Sequence, residues 1–235
     1  MNNFLYILPL LPLLSSCVNY DAQPFSGHTL PRITGYTTGV TNDWLYINLR
    51  TGRTYNATAP CSDIPEGAQR DSAEIALDWD IAFCGYRLRT NSGTSGIGQG
   101  GAADLGYDNY DTWTSASQVA HLSFTPDNDS TISTTISQND WNKYLLANNL
   151  DFNSHPWFDP NTGPITTLTS ANPILASAIS FSAPPATYTP SFHTYCIRSA
   201  DASLFFKLLI VSWYDEQVTI GGQGGKISFY LDQLD

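Results

Sequence analysis

The chain has 235 residues, with 10 Lys+Arg against 21 Asp+Glu and a formal net charge of -11. Nucleic acid is excluded as a partner, because neutralising phosphates takes a basic face that this composition lacks. Disorder is excluded too: 42% hydrophobic and 13% aromatic residues suffice to bury a core, and the length fits one large domain or one domain plus a tail. Only 13% of residues are charged. Ser, Thr, Asn and Gly must therefore cover the surface, as is common in exported β proteins.

The first element is an export signal. Residues 1–17 read MNNFLYILPLLPLLSSC, and the apolar run Phe4–Leu14 is too short to span a bilayer. Leu14-Ser15-Ser16-Cys17 resembles a bacterial lipobox, which makes Cys17 the lipidated mature N-terminus. The alternative is a plain secretory peptide in which Cys17 is incidental. Several acyl chains on Cys17 would give stable anchoring. No later run reaches about 18 uncharged apolar residues, so no second anchor is expected. Residues 18–38 are turn-rich and read as a flexible tether, and residues 39–235 read as one β domain. Of the remaining cysteines, Cys61, Cys84 and Cys196, two can pair in an exported protein and one is left over. No paired Cys or His spacing points to zinc.

In chain order, Asp43–Leu49 alternates as a strand, Thr51-Gly52 turns the chain, and Arg53-Thr54-Tyr55 restarts it. Residues 60–74 read as a loop. Ile75–Arg89 reads as one long strand with a bend near Gly85. A glycine-rich stretch, Asn91–Ala103, follows. Val119–Phe124 and Thr131–Ser137 read as strands around the turn Pro126–Asp129. Residues 138–164 are irregular and aromatic, with a short helix expected at Asp140–Asn148 capped by Asn139 or Asp140. Strands close the chain at Phe192–Arg198, Leu204–Tyr214 and Lys226–Leu231. The fold class is all-β: a single antiparallel β-rich domain with at most one or two short helices, and no βαβ alternation.

Few motifs carry chemistry. The glycine-rich stretch lacks the Gly-Lys-Ser/Thr of a phosphate loop and the helix of a dinucleotide fingerprint, so it reads as a tight β–β connection with glycines at positive φ. Asp78 and Asp80 flank Trp79 on one face, an arrangement that suits capping or solvation better than acid–base catalysis. Asp151–His155 and Asp159–Gly163 lack the terminal Glu of a calcium loop and read as Asx turns. No Gly-x-Ser-x-Gly elbow occurs, and no catalytic constellation can be nominated, so the chain is read as a non-enzyme. His28 falls in the tether, and His121 and His193 in strand-like runs. His155 lies in a loop beside Trp157 and Phe158. An imidazole next to aromatic surface suits an iron porphyrin, since the ring nitrogen ligates iron while aromatics cover the macrocycle.

Several segments together resemble the HmuY family of haem-binding outer-membrane lipoproteins of Bacteroidetes. They are Trp44-Leu45-Tyr46 with Thr51-Gly52, then Trp79–Phe83 continuing through Arg87–Gly93 and the glycines of 96–102. Tyr188, Ile197-Arg198, Ala200-Asp201, Lys207, Tyr214 and Lys226–Phe229 complete the match. The resemblance implies a hand-shaped β fold that grips haem. It also implies outer-membrane anchoring through Cys17, at the cell surface or the periplasmic face, and delivery of haem to a TonB-dependent receptor. Family members hold iron with two His, or with Met replacing one or both. Here the second ligand position falls at or beside Phe181, and the first falls in the middle segment, where His155 is the candidate. The haem-binding candidates are accordingly His155, Tyr188, Phe181 and His193, with His155 the candidate iron ligand and Tyr144 or Tyr188 as phenolic substitutes. Arg87, Arg89, Arg198 and Lys143 are the candidate cations for propionates. Two alternatives stay open. One is the same fold binding a siderophore or other small ligand without iron–histidine coordination, and the other is a structural or adhesive surface lipoprotein.

Overall fold

The computed structural model describes residues 36–37, 43–60, 76–182, 184, 187–214 and 224–235. The signal segment, Cys17, His28, most of the tether and Cys61 lie outside the described residues.

All strand pairings are antiparallel. The larger sheet runs in the order β1–β15–β14–β13–β6, from Tyr36–Thr37 (β1), Gly224–Leu234 (β15), Phe205–Tyr214 (β14), His193–Arg198 (β13) and Gly101–Tyr107 (β6). The second is β3–β2–β4–β5, from Thr54–Pro60 (β3), Asp43–Ile47 (β2), Ile81–Cys84 (β4) and Arg87–Thr90 (β5). Their apolar faces pack together. Ile47, Ile81, Phe83 and Leu88 of the smaller sheet share one buried cluster with Ile197, Phe206, Leu208, Phe229 and Leu231 of the larger. Phe83 and Phe229 stack across it with ring centroids 5.5 Å apart. Each such fully buried side chain contributes roughly 1.5–3 kcal/mol. The other face of the larger sheet is covered by the segment carrying helix α1 (Ala116–Val119), whose Val119 packs with Leu105 and Cys196.

Three two-stranded ladders extend the body: Asn128–Thr135 (β7) with Thr166–Ala171 (β10), Phe158–Asp159 (β8) with Gly163–Pro164 (β9), and Ile179–Ser182 (β11) with Thr187–Pro190 (β12). Helix α2 (Gln138–Ala147) lies between β7 and β8. The all-β reading holds, with two α-helices among the described residues.

The boundaries correct the sequence reading in four places. Ile75–Arg89 is not one strand: β4 and β5 form a hairpin with Cys84 opposite Arg87 and the two-residue turn Gly85-Tyr86. Gly85 has φ +57°, which suits glycine at the first central position of a tight turn. Val119–Phe124 is no strand; α1 and a following turn occupy it, and His121 is exposed there. Ser137, not Asn139 or Asp140, caps α2, accepting from the Asp140 backbone N–H at 3.1 Å. The glycine-rich stretch is a tight connection, but positive φ explains only Gly93 and Gly101 within it. A Cβ at Gly96 would lie 2.2 Å from Asn91 Oδ1, and one at Gly98 2.5 Å from the Asn91 carbonyl. Those two glycines are required because backbone and side chain approach closely.

Two buried carboxylates tie this connection down. Asp80 accepts from the backbone N–H groups of Leu49 and Ala200, both at 2.8 Å. It is therefore a cap that joins the two sheets, not half of an acid–base pair, and Asp78 beside it is exposed. Asp127 accepts from the Thr90 N–H at 2.9 Å, the Thr90 hydroxyl at 2.6 Å and the Asn172 amide at 2.9 Å. Cys84 is disulfide-bonded, whereas Cys196 is a free, fully buried thiol.

Candidate functional site

The β11–β12 hairpin is where apolar surface leaves the core. Side chains two apart on a strand share a face. Ile179 is buried in the main cluster, while Phe181, two residues along the same face, is 48% exposed. Tyr188 stands opposite Phe181 in the ladder, with ring centroids 5.0 Å apart. Its ring also lies 4.9 Å from Trp213, and its backbone N–H donates to Tyr214 Oη at 2.9 Å. From the β4–β5 turn, Tyr86 comes within 5.3 Å of Tyr188 and 6.4 Å of Phe181, near-parallel to the latter. Segments about 100 residues apart thus assemble one aromatic face: Tyr86, Phe181, Tyr188 and, beneath them, Trp213.

The polar groups of this face are donors. The Arg87 guanidinium sits 5.5 Å from the Tyr86 ring centroid. Arg87 Nε and Trp213 Nε1 are both buried without an acceptor. Burial raises the Tyr188 phenol above its ordinary value, with Tyr86 and Tyr214 adding to it and Arg87 opposing.

The other candidate cations are engaged elsewhere. Arg89 is fully buried with its guanidinium 3.7 Å from the Trp44 ring centroid. Arg198 donates to the Gly100 carbonyl at 3.2 Å and lies over Phe124. Lys143 pairs with Asp140 at 3.5 Å.

The structure brings Phe181 and Tyr188 together and sets the two histidines apart from them. His193 opens β13, with Nδ1 2.9 Å from an Asp104 carboxylate oxygen and its ring near the exposed Tyr107. His155 lies in the loop after α2, exposed, with Nδ1 3.0 Å from the Asp151 carbonyl. Its own carbonyl accepts from Trp141 Nε1 at 2.9 Å. That loop closes a separate cluster of Ile136, Trp141 and Leu145, against which Tyr144 and Trp157 pack. The exposed Phe152 and Phe158 lie in the same segment. Tyr144 stacks on Trp141. Among the described residues, no three His, Cys, Asp or Glu side chains converge as a metal site. Sequence reasoning missed Tyr86 and Trp213 as parts of the face. The only signal was Gly85 at the start of a two-residue turn, which would have set Tyr86 at a hairpin tip.

Comparison with known proteins fits this architecture. The model of the family described as HmuY protein matches residues 40–230. No curated protein matches the chain. Among solved structures, the apo form of PinO from Porphyromonas gingivitis aligns with a TM-score of 0.56 at 12% identity, covering 88% of this chain and 99% of that one. The apo HmuY analog of Tannerella forsythia aligns with a TM-score of 0.51 at 16% identity, over 88% of this chain and 98% of that one. A chain from Bacteroides fragilis NCTC 9343 gives 0.51 at 19% identity, over 85% and 88%. At these identities the structural likeness is one of fold. The match to the family model spans most of the sequence, and the chain belongs to the HmuY family.

Proposed function

We propose that the protein is a non-enzymatic, lipid-anchored outer-membrane protein that binds haem and passes it to a TonB-dependent receptor. The observation that carries the reading is the half-exposed Phe181 with Tyr188 and Tyr86 partly buried behind it, and Arg87, which has no acidic partner among the described residues, beside them. Flat aromatic rings stack on a macrocycle, and a guanidinium suits a propionate. Haemin titrated into the mature protein is expected to shift its Soret band, and Phe181→Ser is expected to weaken that binding about tenfold. No shift with the wild-type protein would sink the reading.

Ligation of iron by His155 is the competing version of this reading: its exposed ring lies on the separate Trp141 cluster, apart from Phe181 and Tyr188. In that version His155→Ala alters the haemin spectrum, and an unchanged spectrum would remove His155 from the role. Anchoring through Cys17 is supported by the lipobox-like Leu14–Cys17. Cys17→Ala should then release the protein from the membrane fraction. A second reading, a ligand held without iron–histidine coordination, is favoured by Phe181, an apolar ring at the hairpin where a ligand to iron would be expected.

A further inference from the structure

We propose that the aromatic face recognises the ring and an acidic substituent of its ligand, not its metal, so that metal-free tetrapyrrole carboxylates bind there as haem does. This deepens the haem reading and rests on it for the ligand class.

The first argument is a count of unpaired donors. Buried polar groups are nearly always hydrogen-bonded, so each exception asks for a partner. Trp213 is 4% exposed, and its indole nitrogen has no acceptor although the ring is packed against Tyr86 and Tyr188. Arg87 Nε is also buried without an acceptor, and Arg87 has no acidic partner among the described residues. Three other cations are paired within the fold, Arg50 with Asp201, Lys143 with Asp140 and Lys207 with Asp232, while Arg198, whose Nε is also without an acceptor, donates to the Gly100 carbonyl. Two donors left over at one aromatic patch match an acceptor that arrives with the ligand. An anion approaching a chain of net charge -11 is repelled overall. A local guanidinium is what would let a carboxylate dock here.

The second argument is the chemistry of the neighbours. Among the described residues, those in ring contact with or hydrogen-bonded to Phe181 and Tyr188 are Tyr86, Trp213 and Tyr214. None is a His, Cys, Met, Asp or Glu. Tyr188 is packed by its ring against Phe181, Tyr86 and Trp213, an arrangement that presents it for stacking. Stacking is indifferent to the metal at the centre of the ring, whereas coordination requires it.

The test compares three probes on the mature wild-type chain: haemin, protoporphyrin IX, and protoporphyrin IX dimethyl ester. Affinities are read by quenching of tryptophan fluorescence. The free acid is expected to bind within about threefold of haemin, and the ester, whose carboxylates are masked, about tenfold or more weakly. Arg87→Gln should weaken the free acid about tenfold and leave the ester unchanged. Should that variant fail to fold, the acid–ester contrast in the wild type still decides the matter. Tight haemin binding with protoporphyrin IX at least about tenfold weaker overturns this inference and leaves the haem reading standing. Equal binding of acid and ester overturns the role of Arg87. No binding of any probe overturns both the inference and the haem reading.

Discussion

Phe181 and Tyr188 face each other across the β11–β12 ladder with ring centroids 5.0 Å apart, and the outer ring of the pair is half exposed. Elsewhere in the molecule, Phe83 and Phe229 stack wholly buried, and Phe124 and Phe205 stack partly buried against the large sheet. An aromatic pair half in water is surface retained for contact. If Tyr188 acts by stacking, Tyr188→Phe should keep haemin affinity within about threefold, while Tyr188→Ala should lower it about tenfold. Loss of the Soret shift in Tyr188→Phe, measured by absorbance titration, would instead assign the hydroxyl to iron.

Much of the body of this fold was legible from residue pattern. The final three strands and the opening hairpin are rich in β-branched and aromatic residues, and they stand within a few residues of where the pattern puts them. The failures have local causes. Gly85 ends a strand because it turns the chain back on itself, which a bend would not do. Val119, Leu122 and Phe124 are apolar because they cover the outer face of the large sheet from a helix and turn, not because they alternate in a strand. Ser137 with Asp140 three residues on was a helix-start signal available in the sequence. The site was half legible. Phe181 and Tyr188 could be nominated from their segment, but Tyr86 and Trp213 reach them only through the packing of the two sheets, which no local pattern encodes.

The glycine-rich connection predicts a sharp effect at Gly98. A Cβ there would fall 2.5 Å from the Asn91 carbonyl and 2.9 Å from that of Ala200, both backbone atoms that cannot swing aside. Gly98 also donates its N–H to Asn91 Oδ1 at 2.9 Å, a bond that any shift would break. Gly98→Ala should destabilise the protein by about 2–3 kcal/mol, seen as a lower urea midpoint with an unchanged slope. A midpoint equal to wild type would mean that the connection is looser than its packing indicates.

Cys196 should be inert in the native state. It sits in the middle of β13 at 0% exposure, and burial pushes its thiol up to about 12. The thiolate is the reactive form, so a folded chain offers almost none at neutral pH. A charged thiol reagent should leave the peptide carrying Cys196 unlabelled in buffer and label it fully in denaturant, as read by mass spectrometry. Rapid labelling of that peptide in buffer would contradict the burial.

Asp127 predicts a pH dependence of unusual sign for a carboxylate. Burial raises its carboxyl above the ordinary 3.8, opposed by the hydrogen bonds from Thr90 and Asn172. The folded protein therefore holds this proton more tightly than the unfolded chain. Between the two values the folded state binds more protons, so stability falls as pH rises. The contribution is fully present below the unfolded value and is lost as pH climbs through the folded one. Asp201 works in the opposite direction, since Arg50 first and the Ser199 and Ser203 hydroxyls next hold its carboxyl below the usual range. Comparing wild type with Asp127→Asn cancels that opposing contribution, because Asp201 is present in both. The stability of wild type relative to Asp127→Asn, from urea midpoints, should rise as pH is lowered from about 7 towards about 4. A relative stability that falls over that range would mean that the hydrogen bonds outweigh burial and the carboxyl is held below its ordinary value. Asp127→Ala would orphan the Thr90 N–H, and would remove one bond each from the Thr90 hydroxyl and the Asn172 amide, which keep Ser92 Oγ and the Thr125 carbonyl. At roughly 1–3 kcal/mol for a buried group left unpaired, that variant should lose about 2–3 kcal/mol at neutral pH. The loss should exceed that of Asp127→Asn, whose amide oxygen can still accept one of these bonds.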